Sequence, residues 1–447
     1  MLLKAHTTEV KSLFKLAAPV ALAHVAGMTM QLVDTAFVGR LGAEAIGGVS
    51  IGNAVYVMFM VIGVGVLLGV DFLISHAFGA GRLEECHSTL VQSLYLGLIA
   101  SLPAIAVMYW TSNFLGLLGV DPNVAVQAGI YLKWLGFSLL PFLLFTACRQ
   151  YLQGMGVAGP ILMILLVANI VNAFFNWVFV FGKLGMPVMG VAGSGLATCI
   201  ARSYAFIATL AYLILRDRKL DLGLSKVSLK FSYRRLSKMV RLGLPAAIQL
   251  LLEVGMFALA TMLAGRLGAV PLAAHQIALH LASIAFMIPL GLSAASAVRV
   301  GQALGQGHRH KAVRVGWTAL AMSVVVMAIS GLTFYVAAEP LMKLFTNDAA
   351  VISTGASLML IAAFFQLFDG IQVVGTGVLR GWGDTRSPMV ANLIGHWVFG
   401  LPAGMLLCFW AGWGVQGLWI GLSTGLISVA LLLLWVWNRR VRVTVHV

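Results

Sequence analysis

Charge is what this sequence has least of. Only 10% of its 447 residues are Asp, Glu, Lys or Arg, where a soluble globular domain carries about 25%. With 60% of the residues apolar, the chain falls in the membrane class before any motif is considered. Cysteine is scarce as well. Cys86, Cys148, Cys199 and Cys408 lie far apart and form no CxxC pair, so neither a disulfide framework nor a zinc site is supported. Each reads instead as a small residue packed inside a helix. Proline is limited to 12 residues against 49 glycines, a balance suited to helices packed closely in lipid. Neither HExxH nor a P-loop occurs, so zinc hydrolysis and ATP-driven pumping have no support within this chain.

What the sequence has in abundance is long apolar runs. Stretches long enough to span a bilayer, about 17–25 residues, recur twelve times, at 13–38, 46–70, 88–110, 130–152, 161–181, 190–215, 243–264, 276–300, 313–337, 355–379, 390–410 and 416–437. The first follows a short segment carrying Lys4, Lys11 and Lys15. It is too long for a signal-peptide core of about 7–15 residues, so it reads as a retained membrane helix. The excess of basic residues, a formal charge of +15, orients the spans. With the N-terminus inside, Arg40, Lys133, Lys183, Arg266 and Lys343 fall at outer ends, and the other 24 of the 29 Lys and Arg fall on the inner side. This is the positive-inside bias. The densest cluster links spans six and seven and runs from Arg216 through Lys226 and Lys230 to Arg241. It reads as a cytoplasmic linker facing anionic lipid headgroups rather than nucleic acid.

The linker separates two copies of one unit. Gly-Arg-Leu-Gly-Ala at 39–43 returns at 265–269, and Pro19 returns as Pro245, both at an offset of 226. His-Ala-Phe-Gly-Ala-Gly (76–81) matches Gln-Ala-Leu-Gly-Gln-Gly (302–307) in the same register. Leu-Gln-Gly-Met-Gly (152–156) pairs with Leu-Arg-Gly-Trp-Gly (379–383) at offset 227. The expected fold is therefore an all-α membrane protein of twelve transmembrane helices in two pseudo-symmetric six-helix bundles. Residues 1–215 and 242–447 form the lobes, and 216–241 is the basic linker. Six spans is an even number, so the repeats are parallel, with the substrate path expected at their interface.

Acidic residues inside apolar spans are costly, about 2.5–3.5 kcal/mol each at a helix centre on insertion scales, and mark functional sites. Asp34, Glu253 and Asp369 are the three. At about 1.5 Å rise per residue, Glu253 and Asp369 lie roughly 16 and 21 Å from opposite faces, near mid-membrane. Asp71 reads as a solvated helix end. At offset 226 Asp34 corresponds to Ala260 and Glu253 to Gly27, so the scaffold is duplicated and the carboxylates are not. Asn172 and Asn176 share a face of span five, and Ser194 and Thr198 share one of span six, each pair at i, i+4. With Asp34 they could form an oxygen-lined cation site; interhelical hydrogen bonding is the plainer alternative. Gln276 and Gln372 stand near Glu253 and Asp369. His24, His275, His280 and His396 read as satisfied buried histidines, with a proton relay as the alternative. Met28, Met30, Met256, Phe257, Phe286, Met287, Phe364 and Phe365 are candidates to line an adaptable pocket for flat cations. Gly-Trp-Gly-Asp (381–384) matches the GxGD string of intramembrane aspartyl proteases, but no Tyr-Asp accompanies it. Asp384 reads as a helix-end turn.

Leu-Val-Asp-Thr-Ala-Phe-Val-Gly-Arg-Leu-Gly (32–42), Glu-Val (253–254), Ala-Ala-His-Gln-Ile-Ala-Leu (273–279), Arg-Val-Gly-Gln-Ala-Leu-Gly-Gln-Gly (299–307) and Phe-Asp-Gly-Ile-Gln-Val-Val (368–374), followed by Gly-Val-Leu-Arg-Gly-Trp-Gly-Asp-Thr (377–385), resemble the multidrug and toxin extrusion (MATE) family in its NorM-like branch. The resemblance covers essentially the whole chain. It implies a transporter, not an enzyme, that exports cationic amphipathic drugs, dyes and toxins by antiport with H+ or Na+ and needs no cofactor. It assigns Asp34, Asn172, Asn176 and Thr198 to a first-lobe cation site, and Glu253 and Asp369 to a second-lobe acidic site. Na+, if it is the coupling ion, would sit at one of these two. Relatives can carry Tyr four residues before the span-ten aspartate, where this chain has Phe365. The expected setting is the bacterial inner membrane, with both termini cytoplasmic, lipid as surroundings, no nucleic-acid partner and a functional monomer. A lipid-linked saccharide flippase of similar architecture and an intramembrane aspartyl protease are the alternatives. The first should favour a basic cavity, and the midplane charges here are acidic.

Overall fold

Apolar runs longer than a bilayer is thick must satisfy their backbone within themselves, and in lipid that leaves helices or closed barrels. The computed structural model describes residues 2–118 and 121–445, and no strand occurs among them. The first half of the chain forms α1 (Leu2–Val38), α2 (Ala43–Gly79), α3 (Leu83–Thr111), α4 (Pro122–Phe137), α5 (Leu139–Gly154), α6 (Gly159–Phe181) and α7 (Val191–Leu220). The second half forms α8 (Tyr233–Gly265), α9 (Ala269–Gly305), α10 (Arg309–Val336), the short α11 (Ala338–Lys343) and α12 (Ala349–Gly381). After these come α13 (Arg386–Asn392), α14 (Leu401–Met405) and α15 (Gly414–Val445). Wide π turns at Leu393–Gly400 and Leu406–Trp410 join α13 and α14 into one span, Arg386–Trp410.

Among the described residues eleven helices are long and apolar enough to cross a membrane, and α4 with α5 makes a twelfth as one bent span. The sequence places an unbroken span at 130–152, whereas the chain turns by 40° between α4 and α5. Pro141 explains the break. It has no N–H to give the Phe137 carbonyl, so the helix cannot run through. Local signals set other boundaries. Asp121 caps α4, accepting from the backbone N–H groups of Asn123 (2.9 Å) and Val124 (3.3 Å), with Pro122 at the first helical position. Asp348 caps α12 through Ala350 (2.8 Å) and Val351 (3.2 Å). Both satisfy amides that a helix start leaves open.

The internal repeat is written into the backbone. Gly42 and Gly268 both have φ 114°, and Arg82 and His308 both have φ −91° and ψ 71°. Each pair is separated by 226 residues. The chain divides into two compact units, Leu22–Ala247, and Ile248–Val447 together with Met1–Ala21. In the first, α2 packs on α3, α4 and α5, and α7 packs on α4, α5 and α6. Helix α8 begins in this unit, where a Cβ on Gly243 would collide with the Val66 carbonyl. In the second unit α12 is central, flanked by α9, α10 and α15. Trp419 and Trp437 fill its core at 1% exposure.

Between α7 and α8 the basic linker lies on α3. Gln92 donates to the Lys230 carbonyl (2.9 Å) and accepts from the Ser232 amide (2.9 Å), and Tyr95 donates to the Leu229 carbonyl (2.8 Å). The Lys226 and Lys230 side chains remain exposed.

Candidate functional site

Three helices of the first unit converge on one carboxylate. Asp34 enters from α1 at 4% exposure, Asn172 and Asn176 from α6 at 0%, and Thr198 from α7 at 2%. The i, i+4 spacing on α6 points both amides the same way. Asn172 Nδ2 (3.0 Å) and Asn176 Nδ2 (2.7 Å) donate to Asp34 Oδ1, and Thr198 Oγ1 donates to Oδ2 (2.6 Å). These donors replace the hydration that a buried carboxylate loses. Asn176 also donates to the Asn172 carbonyl (3.0 Å), which fixes the turn. Three oxygens in this cluster have no hydrogen-bond partner: Asn172 Oδ1, Asn176 Oδ1 and Ser194 Oγ. Turning either amide about its last bond would exchange an N–H facing Asp34 for an oxygen. The same side chains can thus serve an anionic carboxylate or an oxygen-coordinated cation.

Sequence reasoning missed the layer behind Asp34. Arg202, one turn beyond Thr198 on α7, reads from the sequence as one of the inner basic residues. The structure puts it well inside α7, half-buried, hydrogen-bonded to the hydroxyls of Tyr56 and Ser138, the latter at 2.7 Å. Its guanidinium stacks 4.7 Å from the Tyr56 ring centroid and 4.9 Å from that of Phe142. It is close enough to act electrostatically on Asp34. The available signal was its i+4 spacing from Thr198. Asp71 needs a correction too. It is not a solvated helix end, since α2 continues to Gly79 and Asp71 is 2% exposed, within electrostatic reach of Arg149.

The second unit brings Glu253 of α8 and Asp369 of α12 close enough for their charges to interact. Asp369 is 7% exposed and Glu253 is half-buried. No hydrogen bond reaches either carboxylate among the described residues, in contrast to the three on Asp34. Gln372 is buried at 1% exposure on the same helix as Asp369. Gln276 on α9 is half-buried. Phe365 packs on Trp419 at 5.8 Å between ring centroids. Met256 is buried against Ala260 and Leu422, with Phe257 beside them. Met28, Phe286 and Met287 are half-buried, Met30 is buried and Phe364 is exposed.

The histidines divide. His275 is satisfied as expected, accepting from Trp419 Nε1 (3.0 Å) and sharing a bond with Thr261 (2.9 Å). His396 is not. At 1% exposure neither ring nitrogen has a partner, and it lies in the π turns of its span. Asp384 accepts from the Ser387 amide (3.0 Å), the Ser387 hydroxyl (2.7 Å) and Arg440 (2.8 Å), the helix-end turn expected of it. Two Gly-x-Ser-x-Gly strings, at 48–52 and 421–425, also carry no nucleophile elbow. Ser50 and Ser423 lie inside α2 and α15 and donate to carbonyls one turn back, each at 2.8 Å.

Comparison with known proteins agrees with this architecture. The MatE family model matches twice, at residues 19–178 and 245–406, and the two matches start 226 residues apart. A "Probable multidrug resistance protein NorM" of Mesorhizobium japonicum is 39% identical over 442 residues, covering 97% of this chain and 95% of the relative. The "Multidrug resistance protein NorM" of Vibrio vulnificus is 32% identical, covering 95% and 94%. Among solved structures, the eukaryotic MATE transporter AtDTX14 superposes with a TM-score of 0.89 at 22% identity, covering 98% of each chain. A Pyrococcus furiosus transporter of the MOP superfamily, described as having a binding pocket of reverse polarity, gives 0.85 at 16%, covering 97% and 96%. These structures speak for the fold alone, while the family match and the NorM relatives speak for descent. The chain belongs to the MATE transporter family, in its NorM-like branch.

Proposed function

We propose that this chain is a secondary multidrug efflux transporter that exports cationic amphipathic molecules by antiport with H+ or Na+ through alternating access. The observation that carries the reading is the Asp34 cluster. It is a single buried carboxylate held by three donors, with unpartnered amide and hydroxyl oxygens beside it. A proton or bound cation at such a group lowers the cost of closing and drying the site around it. Neutralisation by the coupling ion is what lets the loaded, drug-free form cross. Glu253 and Asp369 form the second acidic site. They repel each other when both are ionised, so a proton, a Na+ ion or a drug cation relieves the strain of either. Competition among these cations is the antiport. Exporting one monovalent cation against 100 mV costs about 2.3 kcal/mol, and one entering ion offsets that electrical term. One-for-one exchange then draws on the ion's concentration gradient.

The working unit we propose is two six-span lobes, 1–215 and 242–447, joined by the linker 216–241. Both termini and the linker face the cytoplasm of a bacterial inner membrane, where the linker's lysines and arginines meet anionic lipid. The twofold match of the family model and the repeated backbone angles support the duplication. A functional monomer suffices, because each acidic site is assembled within one chain. The flippase reading is disfavoured by the acidic character of both buried sites. The test is dye efflux from proteoliposomes under an imposed pH gradient or an imposed Na+ gradient, each alone. Efflux driven by one of them is expected. Efflux driven by neither would remove antiport.

A further inference from the structure

Helix α12 carries buried polar side chains that the acidic pair does not use. From Asp369 towards the end of the helix, Gln372, Thr376 and Arg380 follow at steps of three, four and four residues, so all four share one face. They are 7%, 1%, 7% and 8% exposed. Neither amide atom of Gln372 has a hydrogen-bond partner, and neither does the Thr376 hydroxyl. A helical threonine ordinarily bonds the carbonyl one turn back, as Thr146, Thr209 and Thr333 do here at 2.8, 2.7 and 2.9 Å. Thr376 does not. Two neighbouring side chains one turn apart, buried and unpartnered, are the setting in which buried water is found, since protein interiors rarely leave such groups unbonded. Elsewhere on this stretch α12 is closely packed. Val374 and Val378 are 0% exposed, Gly375 faces Leu433 and Leu320, and Gly377 is pressed against Ser293. At offset 227 the positions of Asp369 and Gln372 are Phe142 and Phe145 on α5, whereas Thr376 and Arg380 correspond to the polar Arg149 and Gln153, so the two halves differ at the acid end of this face.

We propose that this face of α12 is a file of water-binding positions, with Gln372 and Thr376 as its rungs, through which the coupling ion at Glu253 and Asp369 exchanges with the cytoplasm. Eleven residues at about 1.5 Å rise make it roughly 16 Å long, about half the hydrocarbon thickness of roughly 30 Å. It therefore joins a mid-membrane carboxylate to one surface. Gln372 offers two donors and an acceptor, and Thr376 one donor and an acceptor. Waters between them can relay a proton or replace part of a Na+ hydration shell. Arg380 follows one turn beyond Thr376, at the foot of this face. The inference rests on reading Glu253 and Asp369 as an ion-coupling pair.

The test needs no transport, which separates its failure from failure of the antiport reading. Cys86, Cys148, Cys199 and Cys408 are replaced by Ala, and single cysteines are placed at Gln372, Thr376, Val374 and Val378. Methanethiosulfonate ethyltrimethylammonium, which is permanently charged and does not cross the bilayer, is applied from either side in inside-out and right-side-out vesicles. It reacts with thiolate, which forms only where water reaches, so Thr376→Cys and Gln372→Cys should react about tenfold or more faster than the two valine positions, and from the cytoplasmic side. Ser225→Cys in the exposed linker reports that the reagent is active. Equal, slow labelling at all four helix positions would overturn the proposal, as would labelling of 372 and 376 only from the opposite side. Thr376→Val in the otherwise native chain covers failure of the cysteine-free protein to fold. It keeps the side-chain shape and should slow ion release several-fold while dye affinity stays unchanged. An unchanged release rate would overturn the proposal equally.

Discussion

Replacing Thr198 by Val removes one hydroxyl and little else, which makes it the sharpest probe of the Asp34 site. That hydroxyl donates to Asp34 Oδ2 at 2.6 Å, in a site where Asp34 is 4% and Thr198 2% exposed. A hydrogen bond to a charged group contributes about 1.5–3 kcal/mol. At about 1.4 kcal/mol per factor of ten, its loss should move the ion concentration that half-neutralises the site by about 10–150-fold. The direction depends on the ion. If the ion is H+, the lost donor disfavours the ionised carboxylate, and less H+ is needed. If the ion is Na+, a ligand oxygen has gone, and more Na+ is needed. The assay is release of a bound cationic dye from purified protein, titrated with each ion separately. Thr198→Ser keeps the hydroxyl and should stay near wild type. A midpoint unmoved for both ions would refute the assignment of Thr198, and with it the view that Asp34 is tuned by its three donors.

Asp34→Asn should abolish coupling to the ion gradient, whereas Glu253→Gln should mainly weaken drug or ion binding at the second site; wild-type efflux by Asp34→Asn would take the first site out of the mechanism. Gly243→Ala should sharply reduce the yield of folded protein, read by size-exclusion chromatography in detergent, because the added Cβ collides with the Val66 backbone; a normal yield would show that α2 and α8 can separate there. A cysteine at Ser225 should resist a membrane-impermeant label applied to intact cells if the linker lies inside, as the basic-residue count predicts; labelling from outside would invert the topology.

Much of this was legible in the sequence, for identifiable reasons. Polar groups are expensive in lipid, so Asp34, Glu253 and Asp369 stand out against their spans. The i, i+4 pair Asn172 and Asn176 shows that two amides face one way. The repeat was equally plain, because a fixed offset survives where identity does not. What stayed hidden depends on depth and on partners. Arg202 looks like one more basic residue until its bonds to Tyr56 and Ser138 are seen. Asp71 looks like a helix end because the apolar run stops at residue 70, while the helix itself continues beyond the apolar run. The break at Ser138 follows from Pro141, a signal present in the sequence that the hydropathy of the span obscured. The unsatisfied nitrogens of His396 were not legible either, since a lack of partners depends on what packs around the ring.

Antiport is reciprocal, so a drug gradient must drive the coupling ion as surely as the ion drives the drug. The most direct measurement therefore imposes no ion gradient. Proteoliposomes loaded with a cationic dye are diluted into dye-free buffer, and lumenal pH and Na+ are followed by trapped fluorescent indicators. Wild-type protein should move one of the two ions inward as the dye leaves, and Asp34→Asn should not. Dye leaving without counterflow of either ion, or the same counterflow from Asp34→Asn, would contradict the account.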